Sequence, residues 1–266
     1  MASQLQTLSP SQHRGHGWKR FDNYRFAGGD SVAPLAIAEV SAALPFYPLA
    51  FTRRPGGGYW LVALQGLHAG ENLYLGGNGR WQAGYIPSIY RCYPFALVKV
   101  DDKDKMALCF ERASGLYREA PNPALGEERF FSDEGQPQPR LQQVLEFLGK
   151  TAANRERTFG AVDALEAAGL LEPWQLPVEN PNPQIPLLTG LYRLNETALN
   201  ALDGQKLALL RSSGALAIAY AQLFSMARVG VLRRLYDLRA PQKEQAPLVS
   251  LDALFGEGND ELIRFD

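Results

Sequence analysis

The most chemically pointed feature of the chain is an arginine set among rings and a proline, Tyr90-Arg91-Cys92-Tyr93-Pro94. A guanidinium held by neighbouring rings presents a planar fork of donors that matches a carboxylate or a phosphate. The same arginine would serve structure alone if it paired with Glu39 or Glu71 and stapled the surrounding strands. Around it, residues 71 to 95 contain six aromatics, four glycines and two arginines. Trp81, Tyr85 and Tyr90 offer broad apolar faces with polar edges, suited to a sugar, an indole or an aromatic peptide side chain, and equally suited to a core. With Glu39 and Asn72 they complete the candidate ligand-binding set: Glu39, Asn72, Trp81, Tyr85, Tyr90 and Arg91. Arg80, beside Gly79, reads as an exposed hairpin residue.

Other chemistries have weaker support. His13, His16 and His68 are the only histidines. His13 and His16, with Glu39 or Glu71, could make a nitrogen and oxygen metal site. Their segment is polar and contains Arg14, Gly15 and Lys19, so both read as solvated loop histidines and no metal is expected. No HExxH is written, and His68 has no acidic residue two positions on. Ser88 lacks the GxSxG setting of a hydrolase nucleophile, and Cys92 lacks any local nucleophile signature. Neither a GxxxxGK[ST] loop nor a strand-to-helix GxGxxG is present, so no cofactor is expected. Cys92 and Cys109, the only cysteines, read as reduced, half-buried strand or turn residues.

A chain of 266 residues can bury a substantial core. Apolar residues make up 46% and charged residues 21%, which excludes a disordered composition. Lys and Arg number 27 against 28 Asp and Glu, a net charge of −1 that gives no bulk attraction to nucleic acid or anionic lipid. The first ten residues, MASQLQTLSP, lack the basic and apolar regions of a secretory signal, so the expected location is cytoplasmic. Ala215 to Met226 is the most apolar stretch. Gln222 and Ser225 interrupt it, it falls short of the roughly 20 residues of a membrane span, and it reads as a buried helix.

The elements that must position Arg91 change character along the chain. Residues 48–52, 59–64, 72–75, 95–100 and 106–110 are short strand-like runs. Gly56-Gly57-Gly58 and Asn78-Gly79 supply turns, and residues 101–105 a charged hairpin connection. A short helix is expected over 35–43. Residues 120–139 read as an irregular connector able to dock Phe130 and Phe131. Helical spacing then runs from Leu141 to Leu165, with Gly169 as its stop. The proline-rich stretch 173–186 reads as an extended linker. Asn195 is placed to cap a helix ending near Gly204, and helices follow over 205–213 and from 215 to about 239. The tail from Pro247 adds Leu251, Leu254 and Phe255 to the core surface. The expectation is an α+β protein: a β-rich region over 1–139 and a helical region over 140–266, packed as one cooperative unit.

Several strings in this order resemble the bacterial SapC family, named from a surface-layer gene cluster. They are Val32-Ala33-Pro34-Leu35 followed by Glu39, Tyr47-Pro48-Leu49-Ala50-Phe51, Gly70-Glu71-Asn72-Leu73-Tyr74, Gly79-Arg80-Trp81, Tyr85-Ile86-Pro87, and Arg91 with Tyr93-Pro94-Phe95. Leu188-Thr189-Gly190-Leu191-Tyr192 and Tyr220-Ala221-Gln222-Leu223-Phe224-Ser225 extend the resemblance into the back half. Cys92, where a second arginine is more typical, and Ala50 depart from the pattern. The resemblance implies an association with surface layers and secretion. Neighbouring genes in the family encode flavin-dependent halogenase-like enzymes and outer-membrane receptors, which points to handling of a small molecule or peptide. The expected function is an accessory protein that binds a peptide, glycan precursor or other small acid for a partner enzyme or export system. The alternative is an enzyme of unfamiliar type, metal-dependent or not, with Glu39, His68, Asn72 and Arg91 converging on a peptide or small molecule.

Overall fold

A computed structural model describes residues 4–100 and 105–239. Its strands are β1 (Leu5–Thr7), β2 (Gly17–Lys19), β3 (Val32–Pro34), β4 (Leu49–Arg53), β5 (Tyr59–Leu64), β6 (Phe95–Lys99), β7 (Met106–Glu111), β8 (Tyr117–Arg118), β9 (Glu127–Arg129), β10 (Leu171–Trp174) and β11 (Leu191–Leu194). The helices are α1 (Pro10–His13), α2 (Val40–Ala43), α3 (Ser88–Arg91), α4 (Pro139–Ala167), α5 (Glu196–Asn200), α6 (Gly204–Ser213), α7 (Ala215–Ser225) and α8 (Val229–Arg239). Short antiparallel sheets dominate the front half and helices the back half, so the protein is α+β.

The main sheet has the order β10-β11-β4-β5-β3, with every neighbouring pair antiparallel. β4 and β5 form a hairpin because Gly56, Gly57 and Gly58 all take positive φ, at 85°, 109° and 71°. L side chains rarely adopt that region, and a Cβ on Gly58 would also collide with the Arg54 guanidinium. Central position explains why β5 reads as a nearly continuous apolar run: Leu61, Val62, Ala63 and Leu64 are all buried. The sheet draws β10 and β11 from beyond residue 139, so its register joins the two regions that composition separates.

Polar residues inside apolar helices tie the helices to strand backbone. Gln222 on α7 donates to the Leu49 carbonyl at 3.2 Å and accepts from the Leu194 N–H at 2.9 Å. Ser225 accepts from the Leu49 N–H at 2.8 Å. These two residues interrupt the hydrophobic run because they satisfy strand ends that would otherwise be buried without partners. The exposed Arg228 does not stop the helical run, which continues past Met226 to Arg239. By length and composition, 215–239 is long and apolar enough to cross a membrane; its most apolar window has mean hydropathy 1.5, and 44% of that window is buried in the fold.

A second, aromatic core lies between the sheets β1-β7-β6 and β8-β2-β9. Trp18 stacks on Phe130 at 5.3 Å and meets Phe95 edge-on at 5.1 Å. Phe130 and Phe131 are both buried, so the connector docks on the core as its sequence suggests. The long helix α4 spans both cores. Leu141, Val144 and Leu148 meet the aromatic cluster, while Ala161, Val162 and Leu165 meet the main sheet. Gly169, at φ 69°, ends the turn that follows it.

Local departures from the sequence expectations have physical reasons. Residues 72–75 are not a strand: only a single bridge joins Leu75 to Trp81, and the Asn72 side chain turns the chain by accepting from the Tyr74 N–H at 3.0 Å. The helix expected over 35–43 begins at Ile37, because Leu35 still donates to Leu61 along the sheet. Asn195 caps its helix, but α5 stops at Asn200, since Asp203 caps α6 by accepting from the Lys206 N–H. Pro173 lies in β10 rather than in a linker, on a sheet edge where a missing N–H costs no ladder bond. Most of the 101–105 connection and the whole tail from Pro247 lie outside the described residues.

Candidate functional site

Glu39 is the anchor from which the motif-dense segment is built. Buried in the first helical turn after β3, it accepts four hydrogen bonds: from the Ala36 N–H at 2.9 Å, the Ser88 N–H at 2.7 Å, the Ser88 hydroxyl at 2.7 Å and the Tyr85 hydroxyl at 2.8 Å. A buried carboxylate is tolerated when its lone pairs are met in this way. Burial first, then the bond to Glu39, pushes the Tyr85 hydroxyl up, so it remains a donor. Because Ser88 opens α3, the Glu39 carboxylate fixes the turn whose last residue is Arg91.

The rings of the segment are held from the other side. Trp81 Nε1 donates to the Tyr47 hydroxyl at 2.8 Å, and Tyr47 in turn donates to the Tyr85 carbonyl. Tyr90 is buried, donates to Gln65 Oε1 at 2.8 Å and meets the Trp81 ring at 5.2 Å. Asn72 donates to the Ala27 carbonyl at 3.0 Å, and its own carbonyl accepts from Arg239 at 2.8 Å. The turn before Trp81 depends on Gly79, at φ 79°, where a Cβ would lie 2.8 Å from the Asn23 side chain. The polar atoms of Glu39, Asn72, Trp81, Tyr85 and Tyr90 are therefore directed into the protein.

Arg91 differs. It pairs with neither Glu39 nor Glu71: its Nε donates to the Ile86 carbonyl at 2.9 Å, and its guanidinium carbon lies 4.8 Å from the Tyr85 ring centroid and 6.0 Å from that of Phe147. Among the described residues its two terminal nitrogens have no protein partner. They border an open cleft of about 220 Å³ between α3, the start of β6, the 18–21 segment and the first turns of α4. Two more arginines, Arg20 and Arg140, share its wall with Gln143, and Trp18, Phe21, Tyr93, Phe95 and Phe147 supply aromatic surface. Among the described residues no acidic side chain lines it. Arg140 is bound through Nε to Glu128 at 2.9 Å, which fixes its direction, whereas Arg20 has no ion-pair partner among the described residues. Tyr93 is stacked on Phe26 at 3.8 Å, so that wall is rigid. Cys92 also lines the cleft, and burial pushes its thiol up to about 11, leaving it protonated and unreactive at neutral pH.

The four residues of the enzyme reading are distributed rather than convergent. Glu39 lines a small cavity with Trp60, Ser88 and Arg155, while Arg91 lines the arginine cleft. Asn72 is engaged as described above. His68 is buried, with Nδ1 3.1 Å from Glu71 Oε1 and Nε2 3.1 Å from Asn180 Oδ1, and its ring meets Tyr236 edge-on. It clamps the proline-rich stretch and α8 to the main sheet. His13 is also buried, against the expectation of a solvated loop: its Nδ1 lies 3.1 Å from the Ser9 N–H and its ring packs on His16, with burial lowering its pKa. Among the described residues no three His, Cys, Asp or Glu side chains form a group that could hold a metal ion.

Arg20, Arg140, Gln143 and Phe147 carry no motif and were not apparent from sequence. Helical spacing places residues 140, 143, 144 and 147 on one face, beside the apolar stripe of α4. That spacing gives no indication that the face meets Arg91.

No curated protein and no solved structure matches the chain. The SapC family model matches residues 8–232, which include every element from α1 to the first turn of α8 and all of the cleft. The chain is therefore a member of the SapC family.

Proposed function

We propose that this SapC protein is an accessory protein that binds the carboxylate of a small acid or peptide in the Arg91 cleft and holds it for a partner enzyme or export system. The observation that carries this reading is that Arg20, Arg91 and Arg140 line one aromatic-walled cleft that has no lining acid among the described residues. Guanidinium groups that line one cleft favour an anion there, which accepts paired hydrogen bonds from their planar forks. Rings at Phe21, Tyr93 and Phe147 favour an acid with an aromatic or apolar body. An accessory role requires no catalytic constellation, consistent with the dispersal of Glu39, His68, Asn72 and Arg91.

The test is calorimetric titration with N-acetyltyrosine and with its carboxamide. The acid should bind and the amide should bind at least about tenfold more weakly, the value of a charge-assisted pair. Arg91→Gln should abolish that preference. Equal binding of acid and amide, or no binding of either, would remove this reading.

A further inference from the structure

A second cavity adjoins the arginine cleft at Phe95, which lines both. It has a volume of about 260 Å³ and lies along α4 beside Leu148, Thr151, Ala152 and Arg155. Its other side is formed by Ile89, Ala96, Leu97 and Met106. From Arg140 to Arg155 the helix rises about 22 Å, the span of six or seven residues of extended chain.

Among the described residues β6 is the edge of its sheet, with β7 as its strand neighbour. Val100 donates to the Lys105 carbonyl at 3.0 Å and Glu111 donates to the Pro94 carbonyl at 2.8 Å. Even-numbered residues of this stretch therefore face β7, and alternation turns the N–H and C=O of Leu97 to the open side. The edge and its surroundings carry exposed apolar side chains: Val98 is 37% exposed, Ile89 42%, Met106 48% and Val100 64%. An apolar edge open at Leu97 is a template for a further strand, and folded proteins usually guard such edges. Here it borders a groove with arginines at its ends.

We infer that this groove takes the C-terminal segment of a polypeptide, added as an extended strand to β6. The inference rests on the carboxylate reading of the Arg91 cleft and extends it. The terminal carboxylate lies among Arg20, Arg91 and Arg140, at the beginning of β6, so the bound strand runs antiparallel to β6. Main-chain bonds to Leu97 give register, and alternate apolar side chains enter between Leu97 and Leu148. An acidic side chain six or seven residues back meets Arg155. Charge selects this occupant: a C-terminal segment with acidic character complements arginines at both ends of an otherwise apolar groove.

The test uses the full chain and a synthetic library of peptides about eight residues long, with free C-termini and apolar residues at alternate positions. Fluorescence anisotropy ranks them against N-acetyltyrosine and against their own C-terminal amides. The best peptides should bind at least about tenfold more tightly than N-acetyltyrosine, and amidation should cost about tenfold. N-methylation scanned along the best peptide should weaken binding at every second residue, the signature of strand pairing. Leu97→Pro should reduce the peptide's advantage over N-acetyltyrosine by about tenfold; if that variant does not fold, the N-methyl scan on the unaltered protein decides the matter. Binding of N-acetyltyrosine with no gain for any peptide, or a gain without the two-residue alternation, overturns the groove and leaves the acid site standing. No binding of either probe overturns both.

Discussion

Glu39 and Arg91 lie on either side of the same tyrosine, yet their surroundings are opposite. The Glu39 carboxylate accepts four donors inside the protein, two of them from backbone. Among the described residues Arg91 gives only its Nε to a protein acceptor, and it lines an open cleft that Arg20 and Arg140 also line. Polar groups with every bond made internally specify a structure. Polar groups left with unmet capacity at an open cleft are available to water or to a ligand. Tyr85 links the two, its hydroxyl fixed by Glu39 and its ring under Arg91.

The largest expected effect comes from removing what both regions share. α4 borders the arginine cleft through Arg140 and Phe147, and its Thr158 accepts from the Ile37 N–H at 2.8 Å at the start of the Glu39 turn. A chain of residues 1–139 alone would lose α4, β10, β11 and α7 together. It is expected to show no cooperative thermal unfolding by circular dichroism. A native-like transition would mean that the two regions fold independently.

Next in size is Glu39→Ala. It leaves two backbone N–H groups and two hydroxyls without their acceptor in the interior, a cost on the order of 4 kcal/mol at about 1–3 kcal/mol per orphaned buried group. Urea unfolding measures it. A loss under about 1 kcal/mol would show that water replaces the carboxylate and that the contrast with Arg91 is weaker than drawn.

Arg91→Gln should cost less than about 1 kcal/mol, the range of an exposed cation over a ring, while abolishing the preference for acid over amide. If the variant unfolds the protein, Arg91 belongs to the scaffold. Arg91→Lys sharpens the point: charge without the planar fork should retain part of the affinity.

The smallest effect is electrostatic. Burial raises the Cys92 thiol to about 11 from its ordinary 9.0, so the unfolded chain loses this proton at lower pH than the folded one. The associated stability is fully present below about pH 9 and is lost as pH rises toward 11. Unfolding free energies across that window should fall with pH, and Cys92→Ala should flatten the slope. A slope unchanged by Cys92→Ala would show that the cleft wall is wetter than its burial indicates.

The sequence by itself determined the local structure: the β4–β5 turn through three glycines, the Asn195 cap, the period of α4 and the stop at Gly169. Each follows from residues a few positions apart, where backbone sterics and helical spacing act directly. It also identified the family, because many short strings in one order are independent coincidences, and it singled out Arg91. The tertiary structure alone decided which charged groups face water and which face one another. Arg20, Arg91 and Arg140 line one cleft only because α4 packs across the aromatic core, and His68 meets Asn180 only because the proline-rich stretch returns to the main sheet. Partners of this kind are separated by long stretches of chain. Their pairing is set by the packing of whole elements, which a single sequence does not express in its local pattern.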